Sequence, residues 1–154
     1  MIGKIVSGGQ TGADRAALDV AIKLGIPHGG WIPKGRMTEA GPLPDRYRMR
    51  EMPTADYAAR TEQNVLDSDG TLIVSHGTID GGSALTEALA EEHGRPHLHL
   101  DMDRLSVSEA ADALKGWIGR NAIRVLNLAG PRASRDLDIY SVTAAVLETL
   151  FREE

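Results

Sequence analysis

The 154-residue sequence contains no cysteine. The chain can therefore form no disulfide, cysteine nucleophile, iron–sulfur cluster or cysteine-ligated zinc site. Aromatic residues make up only 4%, which favours a core of Ala, Leu, Val and Ile. No segment approaches the roughly 18 uninterrupted apolar residues that a membrane helix needs, and no N-terminal signal pattern is recognisable. We therefore expect a cytoplasmic protein without a membrane partner.

Basic residues are outnumbered, since 17 Lys and Arg face 22 Asp and Glu and give a net charge of −5. Nucleic-acid binders usually carry an excess of positive charge, so a nucleic-acid partner is not expected. Glycine is abundant: its 17 residues among 154 are about 11% of the chain, whereas an average protein has near 7%. The length fits a single domain spanning residues 1–154.

Strand and helix patterns alternate along the chain. Short β-branched runs predict strands at 4–7, 71–75, 96–100 and 124–128, and a further short strand within 26–32. Apolar residues spaced by three and four predict helices at 13–24, 56–66, 83–93, 107–118 and 139–150, and Ser106 with Glu109 has capping-box spacing. Residues 33–53 are rich in Pro and Gly, which predicts a long ordered loop. The alternation predicts a three-layer, Rossmann-like α/β domain with a mainly parallel sheet.

Glycine-rich or small polar turns follow three of the predicted strands, at 7–12, 80–83 and 129–132. In a parallel sheet such turns meet at one crevice, where free amides at helix N-termini attract anions. This predicts a phosphate resting on the turns Gly9 to Gly12 and Gly82 to Ser83. We accordingly expect Gly9→Val to abolish ligand binding and to leave the domain folded.

Neither of the two common phosphate loops fits the sequence. The dinucleotide pattern GxGxxG would need glycine where Ser7 stands, and no acidic residue follows the second strand region to hold a ribose. The nearest match to a P-loop runs from Gly30 to Gly35 and continues with Arg36, so the required lysine and hydroxyl are missing. A nicotinamide dehydrogenase and a P-loop NTPase are therefore not expected.

Other polar residues have both a functional and an ordinary interpretation. Asp14 and Glu87 are candidate acids, although each is also a favourable charge near the start of a helix. At least one of the cations Lys34, Arg36, Arg60 and Arg132 is expected to neutralise a phosphate, although such residues often lie on a solvated surface. His97 and His99 share a strand face, but no third ligand stands at a recognisable spacing, so we predict no metal site.

Several separated motifs, in order along nearly the whole chain, resemble the molybdenum carrier family, that is, the molybdenum cofactor carrier or circularly permuted YpsA group. The motifs are Gly8-Gly9-Gln10-Thr11-Gly12-Ala13-Asp14-Arg15-Ala16-Ala17-Leu18-Asp19, Gly29-Gly30-Trp31-Ile32-Pro33-Lys34-Gly35-Arg36, Arg60-Thr61, Asn64-Val65, Asp67-Ser68-Asp69-Gly70-Thr71-Leu72-Ile73, Gly81-Gly82-Ser83-Ala84-Leu85-Thr86 and Asn127 to Arg132. The group is related to the LOG phosphoribohydrolases within a Rossmann-like superfamily.

The resemblance implies binding of a nucleotide-like or pterin phosphate ligand, with the molybdenum cofactor as the leading candidate. It also implies a homo-oligomer and a molybdoenzyme as partner. The expected ligand-binding residues are Gly8, Gly9, Gln10, Thr11, Gly12, Asp14, Lys34, Arg36, Arg60, Asn64, Gly81, Gly82, Ser83, Thr86, Gly130 and Arg132.

Two alternative functions stay open. One is hydrolysis of the N-glycosidic bond of a nucleoside monophosphate, with Glu87 or Asp14 as the acid. The related hydrolases place a glutamate six residues after the second glycine of PGGxGTxxE, whereas Glu87 follows Gly82 by five. That offset turns the side chain by about 100° on a helix and argues against the analogy. The other alternative is a nucleotide sensor.

Overall fold

The chain folds as an α/β domain in a computed structural model that describes residues 1–153. In chain order its elements are β1 (Lys4–Ser7), α1 (Ala13–Leu24), β2 (His28–Gly29), β3 (Trp31–Ile32), β4 (Met37–Thr38), β5 (Gly41–Pro42), β6 (Arg50–Glu51), α2 (Tyr57–Leu66), β7 (Gly70–Ser75), α3 (Gly81–Glu92), β8 (His97–Asp101), α4 (Val107–Asn121), β9 (Val125–Ala129) and α5 (Ile139–Arg152).

Five parallel strands form the central sheet, in the order β2-β1-β9-β7-β8. Helices α1 and α4 both pack on α5, whereas α2 packs on α3. The two helix groups cover the two sheet faces, which confirms the predicted three-layer, Rossmann-like class. No helix within residues 1–153 is long and apolar enough to cross a membrane.

Aliphatic side chains dominate the main core, as the scarcity of aromatic residues predicts. Strand β7 is buried along its whole length, which is typical of a parallel strand covered on both faces. Leu72 and Val74 from β7 pack in one cluster with Leu126 and Leu128 from β9, and all four are at most 1% exposed. These strands therefore hold the sheet edge from which the site residues extend.

The segment 26–53 differs from the prediction. Residues 26–32 form two strands of two residues each, of which β2 joins the central sheet and β3 pairs with β6. The predicted loop 33–53 contains the β4–β5 hairpin and β6. A second apolar cluster of Leu18, Ile32, Leu43 and Tyr47 holds the segment against α1. Strands of two residues are too short to show a sequence period, which explains the difference.

The starts of the helices divide into capped and uncapped ones. Asp56 caps α2 by accepting a hydrogen bond from the Ala58 N–H (3.0 Å). The predicted capping box of α4 is confirmed, with Ser106 and Glu109 bonded reciprocally. Helices α1, α3 and α5 lack a side-chain cap. The uncapped starts of α1 and α3 lie at the carboxyl edge of the central sheet.

Candidate functional site

A cavity of about 300 Å³ opens at the carboxyl ends of β1 and β9. Its walls come from the glycine turn after β1, one face of α2, the first turn of α3 and the loop after β9. We call it the main cavity. It gathers, from the residues expected to bind a ligand, Gly8, Gln10, Asp14, Arg60, Asn64, Gly81, Gly82, Ser83, Thr86, Gly130 and Arg132. The expected residues outside its lining are Gly9, Thr11, Gly12, Lys34 and Arg36.

Gly8 lies beside the buried carboxyl group of Asp14 and the partly buried guanidinium group of Arg60. A Cβ atom at Gly8 would stand 2.3 Å from Arg60 Nη1 and 3.0 Å from Asp14 Oδ2. The Arg60 guanidinium donates a hydrogen bond to the Gly8 carbonyl oxygen, and the Gln10 N–H donates to Asp14 Oδ2 (3.3 Å). Arg60 can therefore reach the glycine turn after β1 only because Gly8 has no side chain.

Asp14 is 8% exposed. Its burial raises the pKa of the carboxyl to about 6, against the opposing effects of the positive charge of Arg60 and the Gln10 N–H. Burial in turn lowers the pKa of Arg60, and the Asp14 charge opposes that shift. The main cavity thus contains a carboxyl group whose pKa lies well above that of an ordinary aspartate.

The amides of the first glycine turn are already used within the protein. The N–H groups of Gly9, Gln10, Thr11 and Ala13 donate to Ser7 Oγ, Asp14 Oδ2, Gln10 Oε1 and Pro131 O, respectively. This turn is the uncapped start of α1, yet its donors are satisfied by nearby side chains and by the loop after β9. Few of them remain for an anion.

The start of α3 is different, because it is uncapped and faces the main cavity. Asp80 precedes the helix and makes no side-chain cap hydrogen bond. Gly81 and Gly82 line the cavity, and a Cβ atom at either would meet no atom within 4 Å. Ser83 is 8% exposed, lines the cavity, and its hydroxyl makes no hydrogen bond within residues 1–153. The Ser83 N–H donates to the Asp80 carbonyl oxygen (3.1 Å), which leaves the Gly81 and Gly82 amides, with the positive end of the α3 dipole, to receive an anion.

Three arginines, Arg60, Arg132 and Arg135, line the main cavity. Arg132 Nε stands 3.7 Å from Glu39 Oε1, and Arg135 Nη1 stands 3.9 Å from Asp80 Oδ1. Both pairs are long and substantially exposed, so each guanidinium keeps donors for a ligand. Positive charge is thus concentrated at the cavity although the chain as a whole is acidic.

Lys34 and Arg36 lie in the segment after β3, outside the lining of the main cavity. Arg36 Nη2 donates to the carbonyl oxygens of Leu43, Pro44 and Tyr47 at 3.0–3.3 Å. These bonds fix the path of a segment that has little regular structure of its own. Lys34 is exposed.

Gly9 and Gly12 have packing roles. A Cβ atom at Gly9 would stand 3.2 Å from both Ile32 Cδ1 and Leu43 Cδ2, and the backbone has φ +75°. Valine there would strain the backbone and press on the second apolar cluster, so we expect Gly9→Val to lower stability in addition to its effect on binding. At Gly12 (φ +80°) a Cβ atom would stand 2.4 Å from the Pro131 carbonyl oxygen.

Thr11 joins a cluster around the Glu39 carboxylate. Glu39 Oε2 accepts hydrogen bonds from the Thr11 hydroxyl and the Ser134 N–H, and Oε1 accepts one from the Ser134 hydroxyl. The Ser134 and Thr11 hydroxyls lower the pKa of Glu39. This carboxylate connects the β4–β5 hairpin to the glycine turn and to the loop that carries Arg132.

Glu87 is absent from the lining of the main cavity, as its five-residue offset indicates. The group Glu62, Glu92 and His93 has its ligand atoms within 4.8 Å of one another. These residues also lie outside the cavity lining, and two of the three are exposed.

Tyr57 and Arg135 are cavity residues that the sequence interpretation did not single out. Tyr57 is 51% exposed, and the Arg60 guanidinium carbon lies 5.5 Å from its ring centroid. Residues 57, 60, 61 and 64 follow helical spacing and share one face of α2. Following the α2 face of Arg60 and Asn64 one turn toward the start of the helix would therefore have predicted Tyr57. Arg135 follows no periodic pattern.

Comparison with known proteins agrees with this architecture. The profile of the circularly permutated YpsA SLOG family matches residues 5–151. A crystal structure of a "Putative molybdenum carrier protein" from Syntrophus aciditrophicus SB has 59% sequence identity and a TM-score of 0.96, with 97% of this chain and 94% of that chain covered. No curated protein matches. Because the family profile spans almost the whole sequence, the chain belongs to the circularly permutated YpsA SLOG family.

Proposed function

We propose that the protein binds a small phosphorylated ligand, of nucleotide or pterin type, in the main cavity and acts as a carrier of it. The observation that carries the proposal is the uncapped start of α3, which faces the cavity beside three arginines. An isolated helix end contributes only about 0.3–1 kcal/mol to anion binding. Charge-assisted hydrogen bonds from arginine add to it in the same place.

The phosphate belongs on the α3 turn because the donors of the α1 turn are occupied. Gly81 and Gly82 let an anion approach the backbone closely. The unbonded hydroxyl of Ser83 supplies a further donor, and Arg132 and Arg135 supply charge from the loop after β9. Thr86 contributes less, since its hydroxyl already donates to the Gly82 carbonyl oxygen (2.9 Å).

The rest of the ligand would lie toward α2. Tyr57 offers a half-exposed aromatic face, and Leu85 is an exposed apolar neighbour in the same lining. These surfaces suit a flat heterocyclic ring. Asn64 is less available, since its side chain is bonded to both the N–H and the carbonyl oxygen of Trp31.

The molybdenum cofactor is the leading specific ligand, and the name of the Syntrophus aciditrophicus protein supports this choice. The cavity fits the phosphate of such a group through α3 and the arginines. The chain has no cysteine, so the cofactor itself would supply the sulfur ligands of the metal. A molybdoenzyme would then be the acceptor.

Two matched glycine substitutions test the phosphate site. Gly82 and Gly119 are both helical, and a Cβ atom at either meets nothing within 4 Å. We expect Gly82→Val to weaken binding of inorganic phosphate and AMP at least tenfold in isothermal titration calorimetry, because the side chain fills the approach to α3. Gly119→Val should bind like the wild type. Equal affinity of Gly82→Val, or no binding by the wild type, contradicts the proposed site.

Native mass spectrometry identifies the ligand class. Protein purified from a host that makes the molybdenum cofactor should carry the added mass of that cofactor. The same protein from a host defective in cofactor synthesis should lack it. A nucleotide mass in both preparations would instead identify a nucleotide-binding protein.

Hydrolysis of a nucleoside monophosphate is the second candidate function. The observation in its favour is the Asp14 carboxyl in the cavity wall, whose burial raises its pKa to about 6, a value suited to general acid chemistry. Incubation with AMP followed by chromatography would reveal free adenine. Turnover that disappears in Asp14→Asn supports hydrolysis, and binding without turnover rejects it.

A further inference from the structure

A second cavity of about 190 Å³ adjoins the start of α3. Asp80, Ser83, Pro131 and Arg135 line both this cavity and the main one. The start of α3 is therefore a wall shared by two cavities.

His76 and Asp136 are specific to the second cavity. The His76 Nδ1 atom is hydrogen-bonded to Asp136 Oδ2, and Nε2 makes no hydrogen bond within residues 1–153. This hydrogen bond raises the pKa of His76 despite the opposing effect of burial, and the charges of Asp136, Asp103 and Asp138 add to the increase. His76 is thus held in place with one ring nitrogen available to a ligand.

The charges around the second cavity favour a neutral group. Asp80 and Asp136 offer acceptors, while Arg135, Ser83 and His76 offer donors. The carboxylates of Asp103 and Asp138 also act on His76, so a second phosphate there would meet strong repulsion. A hydroxyl group both donates and accepts hydrogen bonds, so this mixture of donors and acceptors can satisfy it.

We propose that the second cavity is a subsite for a neutral, hydroxyl-bearing group joined to the ligand through its phosphate. The inference rests on the proposed function, which places the phosphate on the α3 turn. A phosphate bound there stands beside both cavities, since Ser83 lines both. The ligand class that uses both cavities is a phosphodiester, in which the phosphate bridges two organic groups.

A pair of simple probes tests the subsite by NMR. Inorganic phosphate has no organic group, and bis(glyceryl) phosphate has two hydroxyl-bearing ones. Titration of the ¹⁵N-labelled protein with either should shift the Gly81 and Gly82 amide signals. Only the diester should also shift the imidazole signals of His76. Equal effects of both probes on His76, or none from the diester, overturns the subsite.

A histidine substitution supplies the affinity readout. We expect His76→Gln to weaken binding of the diester at least fivefold and to leave binding of inorganic phosphate within twofold. His97→Gln is the control, because His97 begins β8 at the amino edge of the sheet. Equal loss for both probes in His76→Gln also overturns the subsite. Failure of both probes to shift Gly81 and Gly82 would instead contradict the proposed phosphate site.

Discussion

Some residues of the main cavity suit ligand binding but lower the stability of the fold. Asp14 and Arg60 are held close to Gly8, and burial shifts the pKa of each toward its neutral form. A site designed only for stability would replace such a pair with apolar side chains of similar volume. The buried charges are therefore retained at a cost in folding free energy, as is common at binding sites.

The pH dependence of stability should report the Asp14 carboxyl. Between pH 3.8 and about 6 the folded protein keeps its proton while the unfolded chain releases it, so the free energy of unfolding falls as pH rises through this window. The fall attributable to Asp14 is at most about 3 kcal/mol. We expect Asp14→Asn to gain stability relative to the wild type between pH 4 and 7 in urea denaturation. The control is Asp112→Asn, an exposed position on α4, whose free energy of unfolding should follow that of the wild type at every pH. The same behaviour of Asp14→Asn would show that the pKa of the Asp14 carboxyl is not raised in the folded protein.

Helices and long strands were largely predictable from the sequence, because each carries a local signal. The five predicted helices and the strands β1, β7, β8 and β9 are confirmed within two or three residues at their ends. The two glycine turns, in contrast, have similar local sequences and different roles. The donors of the turn before α1 are satisfied by Ser7, Asp14 and Pro131. The contact with Pro131 comes from the far end of the chain and is invisible to a local pattern.

The turn before α1 should therefore behave as a structural element. Gly12→Ala would place a Cβ atom 2.4 Å from a backbone oxygen, whereas Gly25→Ala, also at positive φ, would meet nothing within 4 Å. We expect a loss of about 1 kcal/mol for Gly25→Ala from backbone strain alone. Gly12→Ala should lose at least about 3 kcal/mol, because the backbone contact must also be relieved. Similar losses in chemical denaturation would show that the contact is readily relaxed.

Strand order is the property of the whole molecule that creates the site. Strand β9 lies between β1 and β7 although it comes last in the chain. Its following loop thereby brings Arg132 and Arg135 into the cavity that the start of α3 lines. The sequence predicted that the turns converge at one edge, but strand order depends on contacts between distant segments. Arg135 and the short strands β3 to β6 could therefore not be predicted from local patterns.

The segment 33–53 should unfold locally at a lower free energy than the central sheet. The segment 33–53 is held by three two-residue strands and the small second cluster, while the central sheet is held by the main core. Leu43→Ala should speed amide hydrogen exchange in 33–53 and leave the protection of β7 and β9 almost unchanged, since few buried apolar contacts set the local opening. Leu126→Ala, in the main core, should instead lower protection of β7 and β9 by about 2–5 kcal/mol. Uniform loss of protection in Leu43→Ala would mean that the segment unfolds only with the whole domain, because its cluster would then be coupled to the main core through α1.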